Sequence, residues 1–538
     1  MTLTVGDDGE ATARRFREIL MWPVQLAPLR RDAQIQRHWE RLGGDDCPWR
    51  EVADEFTADP KDFKERHYLE LTAFLPHVQR FLYGESRAGG YGGSPIKVFR
   101  RADVAGARVT LSDGWVCDLK VIHVDLYFFF DIDVAILVVE VAAENLPLSR
   151  ALELIYRFGR AYPSFWNADG SAGQCAKRVE WLDAAGRTLA ESDADDKTKF
   201  LEFVCRRRAP CVAEHWAFLL RPLALDHADE PGEVRYRVLE HQRMPLLAWL
   251  ALDDPDRLTR AEWVRLAFAA GPAPKTGARD AAPYSDAFLQ DFERRHCYDR
   301  YWGAAPASGL TSCRITCDRH GVTLTGRDDD PFFTDAETGM LSRFRHEFFL
   351  AALIAYFQRA ALLMVSDRLV AAVGELDIAD TESVKNFKRS TRQMFEIFLR
   401  FTHRSWFAEV SNQGPTRDLF RMLSERLDTA RLYHEVREEV QDMAGYIDAD
   451  GLRRQANSVI RLTVVTVVGM IGTLATGFLG MNLIAAAEEP LGVRIAMFFA
   501  ALIPVIGIIF YSVRKSKQLA EFLEALSDSR PHGRRGVE

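Results

Sequence analysis

Six residues near the C-terminal end recur at spacings of three and four: Val459, Leu462, Thr466, Met470, Thr473 and Gly477. That spacing places them on one side of a helix. The opposite side carries Val464, Val468, Ile471, Leu474 and Phe478, all apolar. The first face is mixed, with hydroxyls, a flexible methionine and a glycine. Gly480, Met481 and Asn482 follow directly. The Asn482 side chain supplies an amide oxygen, an acceptor without fixed charge. A small, hard cation sheds water slowly, so polar oxygens that hold its waters are the groups that suit it. Gly480 permits a tight backbone at that point. Glu488 and Glu489 come next and would concentrate cations. The same small residues also suit plain close packing of helices.

Other chemistry is thin. Cys313-x-x-x-Cys317 has no second pair or His-x-x-x-His to complete a four-ligand zinc site, and reads as two strand cysteines. Asp328-Asp329-Asp330 reads as a solvated loop, and Arg206-Arg207-Arg208 as a surface run. Asp442, Asp448 and Asp450 cannot be matched to a regulatory site. No phosphate loop, nucleophile elbow or zinc-protease helix is present, so the chain is not expected to be an enzyme. The formal charge of −8 argues against a nucleic-acid partner. Eight scattered cysteines in 538 residues are not a disulfide scaffold. The N-terminus shows no signal peptide, and a reducing cytoplasm is expected for the bulk of the chain.

The elements that must position the C-terminal residues are membrane spans. Leu462 to Ala487 is 26 residues without a charge, about 39 Å as a helix against a hydrocarbon core of about 30 Å. Ile495 to Val513 is 19 residues without a charge and holds Pro504 and Gly507, which membrane helices tolerate. Spans at 462–482 and 495–513 form a hairpin with a short turn. Arg453, Arg454 and Arg461 precede it, and Arg514, Lys515 and Lys517 follow. The positive-inside rule puts both ends in the cytoplasm and the loop outside.

Upstream, residues 1–95 read as a helical extension, for example Pro60 to Tyr83. Residues 96–335 read as a cytoplasmic α/β domain. Arg108–Leu111 and Trp115–Leu119 flank a Ser112-Asp113-Gly114 turn and suggest a hairpin. Val121–Phe130 and Val134–Val141 suggest central strands, and Leu148–Tyr162 an amphipathic helix. Further strands are expected at Phe200–Cys205, Ala217–Leu220, Val234–Leu239 and across Arg314–Thr325. Gly271-Pro272-Ala273-Pro274 and Gly303–Gly309 suggest loops. Residues 336–461 read as a helical bundle and stalk, with helices over Leu341–Leu376 and Thr381–Ser405. A third begins near Thr416, with a stripe of Leu419, Met422, Leu423, Leu427, Ala430, Val436, Val440, Met443 and Ile447. If unbroken over 416–480 it is a stalk of about 95 Å; the alternative is a break at Asp448–Gly451. Residues 514–538 are a basic cytoplasmic tail.

Gly480-Met481-Asn482 at the outer end of the first of two C-terminal spans resembles the CorA family of magnesium channels. Leu462-Thr463 at the start of the span, and Thr473 and Gly477 before the motif, sit as in that family. The resemblance covers about residues 340–520. It implies a homopentameric funnel in the inner cell membrane, with first spans lining a pore and second spans facing the lipid bilayer. It implies passive influx of hydrated divalent cations, chiefly magnesium and sometimes cobalt or nickel, gated by intracellular metal. Mg2+ is then the transported ion and a candidate regulatory one. Gly480, Met481 and Asn482 become the selectivity filter, with Asn482 holding the ion through its waters. Leu462, Thr466, Met470, Thr473 and Gly477 become the pore lining, and Glu488 and Glu489 the outer-mouth acids. The chain departs from the family at Leu479 and Leu483, where aromatics are usual, at Ala487-Glu488-Glu489-Pro490, where the family's loop commonly has Met-Pro-Glu, and at Ile471-Gly472, where a proline is usual. Two rivals remain: a zinc transporter on the same scaffold, and a non-conducting membrane-anchored sensor or scaffold.

Overall fold

The computed structural model describes residues 10–28, 36–44, 47–52, 65–84, 95–229, 232–240, 242–272, 284–301, 313–377, 380–485, 490–500, 502–507 and 510–511. The chain divides into two compact units, residues 1–440 and 441–538. The first is an α/β sheet domain with many helices. Its strands are β1 (Thr12–Leu26), β2 (Trp49–Glu51), β3 (Ile96–Arg101), β4 (Gly106–Thr110), β5 (Val116–Phe129), β6 (Val134–Pro147), β7 (Arg178–Leu182), β8 (Thr188–Glu191), β9 (Ala224–Leu225), β10 (Arg235–Val238), β11 (Leu246–Leu252), β12 (Cys297–Tyr298), β13 (Arg314–Asp318) and β14 (Gly321–Arg327). They join in one sheet ordered β12-β13-β14-β11-β1-β6-β5-β4-β7-β8, with β10 also on β1, β9 on β10, β3 on β5 and β2 on β3. All pairs are antiparallel except β11 with β14 and β9 with β10.

The middle of the sheet is apolar because both its faces are covered. β11 reads LLAWLAL and is buried at every position. Such unbroken apolar runs mark strands with helices on both sides. On one face, Trp22 of β1 meets Trp216 and Tyr236 edge-on at 6.5 and 6.2 Å, under the helix Leu148–Arg157 and its following Phe158. On the other lies a long helix, Phe349–Gly374, whose Phe357 stacks on Phe129 of β5 at 3.9 Å.

A buried ionic cluster joins the sheet to that helical layer. Glu140 of β6 accepts from Arg17 of β1 at 2.8 Å and from Arg345, in the turn before the long helix, at 3.1 Å. His123 of β5 lies 2.8 Å from Glu140 and 3.2 Å from Asp125, which Arg100 grips with both arms. Burial pushes the Glu140 carboxyl up, but His123 and the two arginines outweigh it and hold the group at about 2. Burial likewise disfavours the His123 cation, yet the hydrogen bonds and charges of Asp125 and Glu140 raise it to about 9.

Several expectations are corrected. The N-terminal region is not simply helical, since Thr12–Leu26 is a central strand. Of Pro60–Tyr83, residues 60–64 lie outside the described ones. The rest is two helices, Glu65–Ala73 and Pro76–Tyr83, parted where Pro76 opens the second. Phe200–Cys205 and Ala217–Leu220 are helical, within Lys197–Arg207 and Glu214–Leu220. Asp196 caps the first of these by accepting from the Lys199 amide. The hairpin and the strands at β6, β10, β13 and β14 form as expected; the second hairpin arm and the strand expected at Val121–Phe130 are one strand, β5, and the helix from Leu148 ends at Arg157 rather than Tyr162. Gly303–Gly309 lies outside the described residues.

The expected stalk is broken, but elsewhere than at Asp448–Gly451. One helix spans Gly414–Leu427, Asp428 takes a left-handed conformation at φ 55°, and a second runs from Thr429 to Ala485. Asp tolerates that conformation better than most residues. Gly445 and Gly451 lie inside the second helix, which is 57 residues long.

Candidate ion-path segment

The helix Thr429–Ala485 holds every expected lining and filter residue. At 100° per residue, Leu462, Thr466, Met470, Thr473 and Gly477 fall within an arc of about 80°. All five are exposed in the single chain, Leu462 at 68% and Met470 at 58%. On the other side Val464 is 6% exposed and Val468 is half-buried, while Ile471 is exposed. Of the opposite side, Val464 and Val468 are thus covered to different degrees and Ile471 is not. The side chains of Leu474 and Phe478 lie outside the described residues.

The threonines are held by their own helix. Thr466 donates its hydroxyl hydrogen to the Leu462 carbonyl at 2.8 Å, and Thr473 donates to that of Gly469 at 2.9 Å. Thr463 and Thr476 do the same with Val459 and Gly472. This back-bonding is common for threonine inside helices.

The filter residues are brought to the same helix but not all to the same face. Gly480 falls in line with Leu462. The helical backbone continues through Ala485, which puts position 482 about 160° from the centre of the lining arc. The described helix therefore aligns five lining positions and Gly480, and leaves Asn482 off the stripe. The side chains of Met481 and Asn482 lie outside the described residues, as do Glu488 and Glu489 entirely.

After Pro490 the chain is helical again. The amides of Val493 and Arg494 donate to the Pro490 carbonyl, and an apolar helical stretch runs Leu491–Gly507. Leu491, Ile503, Ile506 and Phe510 are each more than half exposed. A matching apolar stretch lies at Ser458–Thr473. Among the described residues, the one helix long and apolar enough to cross a membrane is Met340–Gly374, and 83% of its apolar window is buried inside the protein. It is the core helix under the sheet.

The weaker sites do not assemble. Among the described residues no group of three or more His, Cys, Asp or Glu could hold a metal. Cys313 and Cys317 are buried thiols, and burial pushes both well above the ordinary thiol range. That opposes the thiolate a zinc site needs. Asp330 caps a short helix by accepting from the Phe332 amide, and Asp328 accepts from Arg15 at 2.6 Å. The buried cluster around Glu140 was not foreseen. Its members are scattered over five segments, which no local spacing connects.

No known protein family matches the chain, and no curated protein or solved structure matches it.

Proposed function

We propose that this chain is a divalent-cation channel of the CorA type, passing chiefly magnesium, with cobalt and nickel as lesser cargo. In this reading it is a homopentamer in the inner cell membrane, with both termini in the cytoplasm. One observation carries the reading. Gly480-Met481-Asn482 lie near the end of a single helix whose uncharged part exposes a stripe of Leu462, Thr466, Met470, Thr473 and Gly477. A second apolar helical stretch follows a few residues later.

The physics of such a channel is simple. Five copies of the stripe would enclose a path lined by hydroxyl oxygens at Thr466 and Thr473. Leu462 and Met470 would form hydrophobic constrictions, a known device for gating. The ion keeps its waters, so the lining needs acceptors rather than fixed charge. The membrane potential drives entry at about 2.3 kcal/mol per charge per 100 mV, doubled for a divalent ion. For Asn482 to join the path, the first span must end near Gly480 in the assembled channel, because a regular helix carries position 482 to the far side.

The test is magnesium flux into liposomes that hold the purified full chain, with Asn482→Ala beside the wild type. The expected result is flux in the wild type that fails or loses selectivity in the variant. Folded, oligomeric protein with no flux in either form would overturn the channel and favour a membrane-anchored sensor.

A further inference from the structure

The helix Thr381–Arg404 carries six basic residues against two acidic ones. On its outward face Lys385, Arg389 and Arg392 recur at spacings of four and three, all exposed. Phe395 and Leu399 continue that side at 41% and 46% exposure. Arg389 and Arg392 have no ion-pair partner among the described residues. The start of the helix Thr429–Ala485 is the reverse. Glu435, Glu438, Glu439 and Asp442 recur at spacings of three, one and three, and all are exposed. Glu435 pairs with Arg431 and Glu439 lies 3.4 Å from the Ser366 hydroxyl. Glu438 and Asp442 have no ion-pair partner among the described residues.

These two stripes cannot meet within one chain. The helices touch through their inner faces, where Phe398 stacks on Tyr433 at 5.7 Å. Phe398 is about 150° around its helix from the basic stripe, and Tyr433 is about 170° around its own from the acidic stripe. One molecule thus holds two complementary surfaces that point away from each other. Such a pair is the geometry of a head-to-tail contact, which closes into a ring when the rotation allows.

We propose that the basic stripe of Thr381–Arg404 docks on the acidic stripe of Thr429–Ala485 in a second copy of this chain, Lys385, Arg389 and Arg392 facing Glu435, Glu438, Glu439 and Asp442. Phe395 and Leu399 are covered in the same contact. The inference rests on the homo-oligomeric reading above and names the surface that joins its cytoplasmic parts. An anionic bilayer would satisfy the basic stripe but leave the acidic one without a partner. A second copy satisfies both. The contact is electrostatic, so it weakens as salt shortens the screening length from about 8 Å at physiological strength.

The experiment uses the full chain in mild detergent, with a carbodiimide that couples lysine amines to carboxylates without a spacer. Covalent dimers and higher species are read on a denaturing gel, and native mass spectrometry reads the assembly. The wild type should give a ladder. Arg389→Glu with Arg392→Glu should weaken it at least about tenfold, since like charges then face each other. Glu438→Lys with Asp442→Lys should do the same. Co-expressing the two variants, or placing all four substitutions in one chain, should restore the ladder. An oligomer by mass whose ladder ignores both reversals would overturn this contact and leave the oligomeric reading standing. A wild-type monomer would overturn both. Loss of binding to phosphatidylserine vesicles by the first variant, with the ladder intact, would assign the basic stripe to the membrane and overturn the contact.

Discussion

Glu140 shows how a single side chain can tie layers together and make stability depend on pH. Its carboxyl is held at about 2, below its ordinary 4.5, so the stabilisation is complete above 4.5 and is lost as pH falls through about 2. His123 is held at about 9, above its ordinary 6.5, so its share is complete below 6.5 and is lost as pH rises through about 9. The cluster is therefore at full strength between 4.5 and 6.5. Thermal melts of the full chain in detergent should show a plateau there, with falls on both sides. Glu140→Gln should cost about 3–5 kcal/mol, the range for breaking a buried ion pair, and should flatten both limbs. A wild-type profile that climbs steadily toward pH 9 would contradict this account. None of the cluster was legible in the sequence. His123 and Asp125 sit two apart in β5, but Arg17 and Arg345 come from distant segments that only the sheet register and the helical layer bring together.

At the scale of elements, periodicity was a good guide where one force dominated. The strands β5 and β6 were legible because each carries a run rich in Val, Ile, Leu and aromatic residues. β1 was hidden by Arg14, Arg15, Arg17 and Glu18 at its start, and by Pro23 in its middle. Proline argues against a central strand, yet Pro23 falls between the end of the β11 pairing at Leu20 and the start of the β10 pairing at Val24. Burial of Phe200 alone within Lys197–Arg207 left that helix with little apolar periodicity to read. The corner at Asp428 has no proline or glycine to announce it. A sharper test lies at the turn into β14. A Cβ on Gly321 would stand 2.0 Å from the Leu246 carbonyl oxygen on the parallel neighbour β11. Gly321→Ala should cost about 1–3 kcal/mol through forced backbone shifts, read as a lowered melting midpoint. An unchanged midpoint would mean that β11 and β14 are not so closely joined.

At the scale of the whole molecule, large exposed apolar residues concentrate in the second unit, although Tyr68, Val370 and Val373 of the first are also more than half exposed. Leu462, Met470, Ile471, Leu491, Ile503 and Phe510 are each more than half exposed, and exposed apolar surface on that scale marks a membrane or protein contact. The expected outcome is that the full chain stays in the membrane pellet after alkaline carbonate washing and leaves it only with detergent. Release by carbonate alone would place these residues against protein instead. The two apolar C-terminal stretches, and the mixed stripe on the helix that holds the first, were legible because an unbroken apolar run and the helix pitch show directly in the sequence. The placement of Asn482 was not, since it depends on where the helix stops.

The threonine hydroxyls have one hydrogen each, and in Thr466 and Thr473 that hydrogen is already given to the backbone. What each turns outward is lone pairs only. Water bound to a cation points its oxygens inward and its hydrogens out, whereas an anion seeks donors that these oxygens no longer have. In the proposed channel, a neutral wall would thus sort ions by sign through the polarity of their wetting, before any charged group is met.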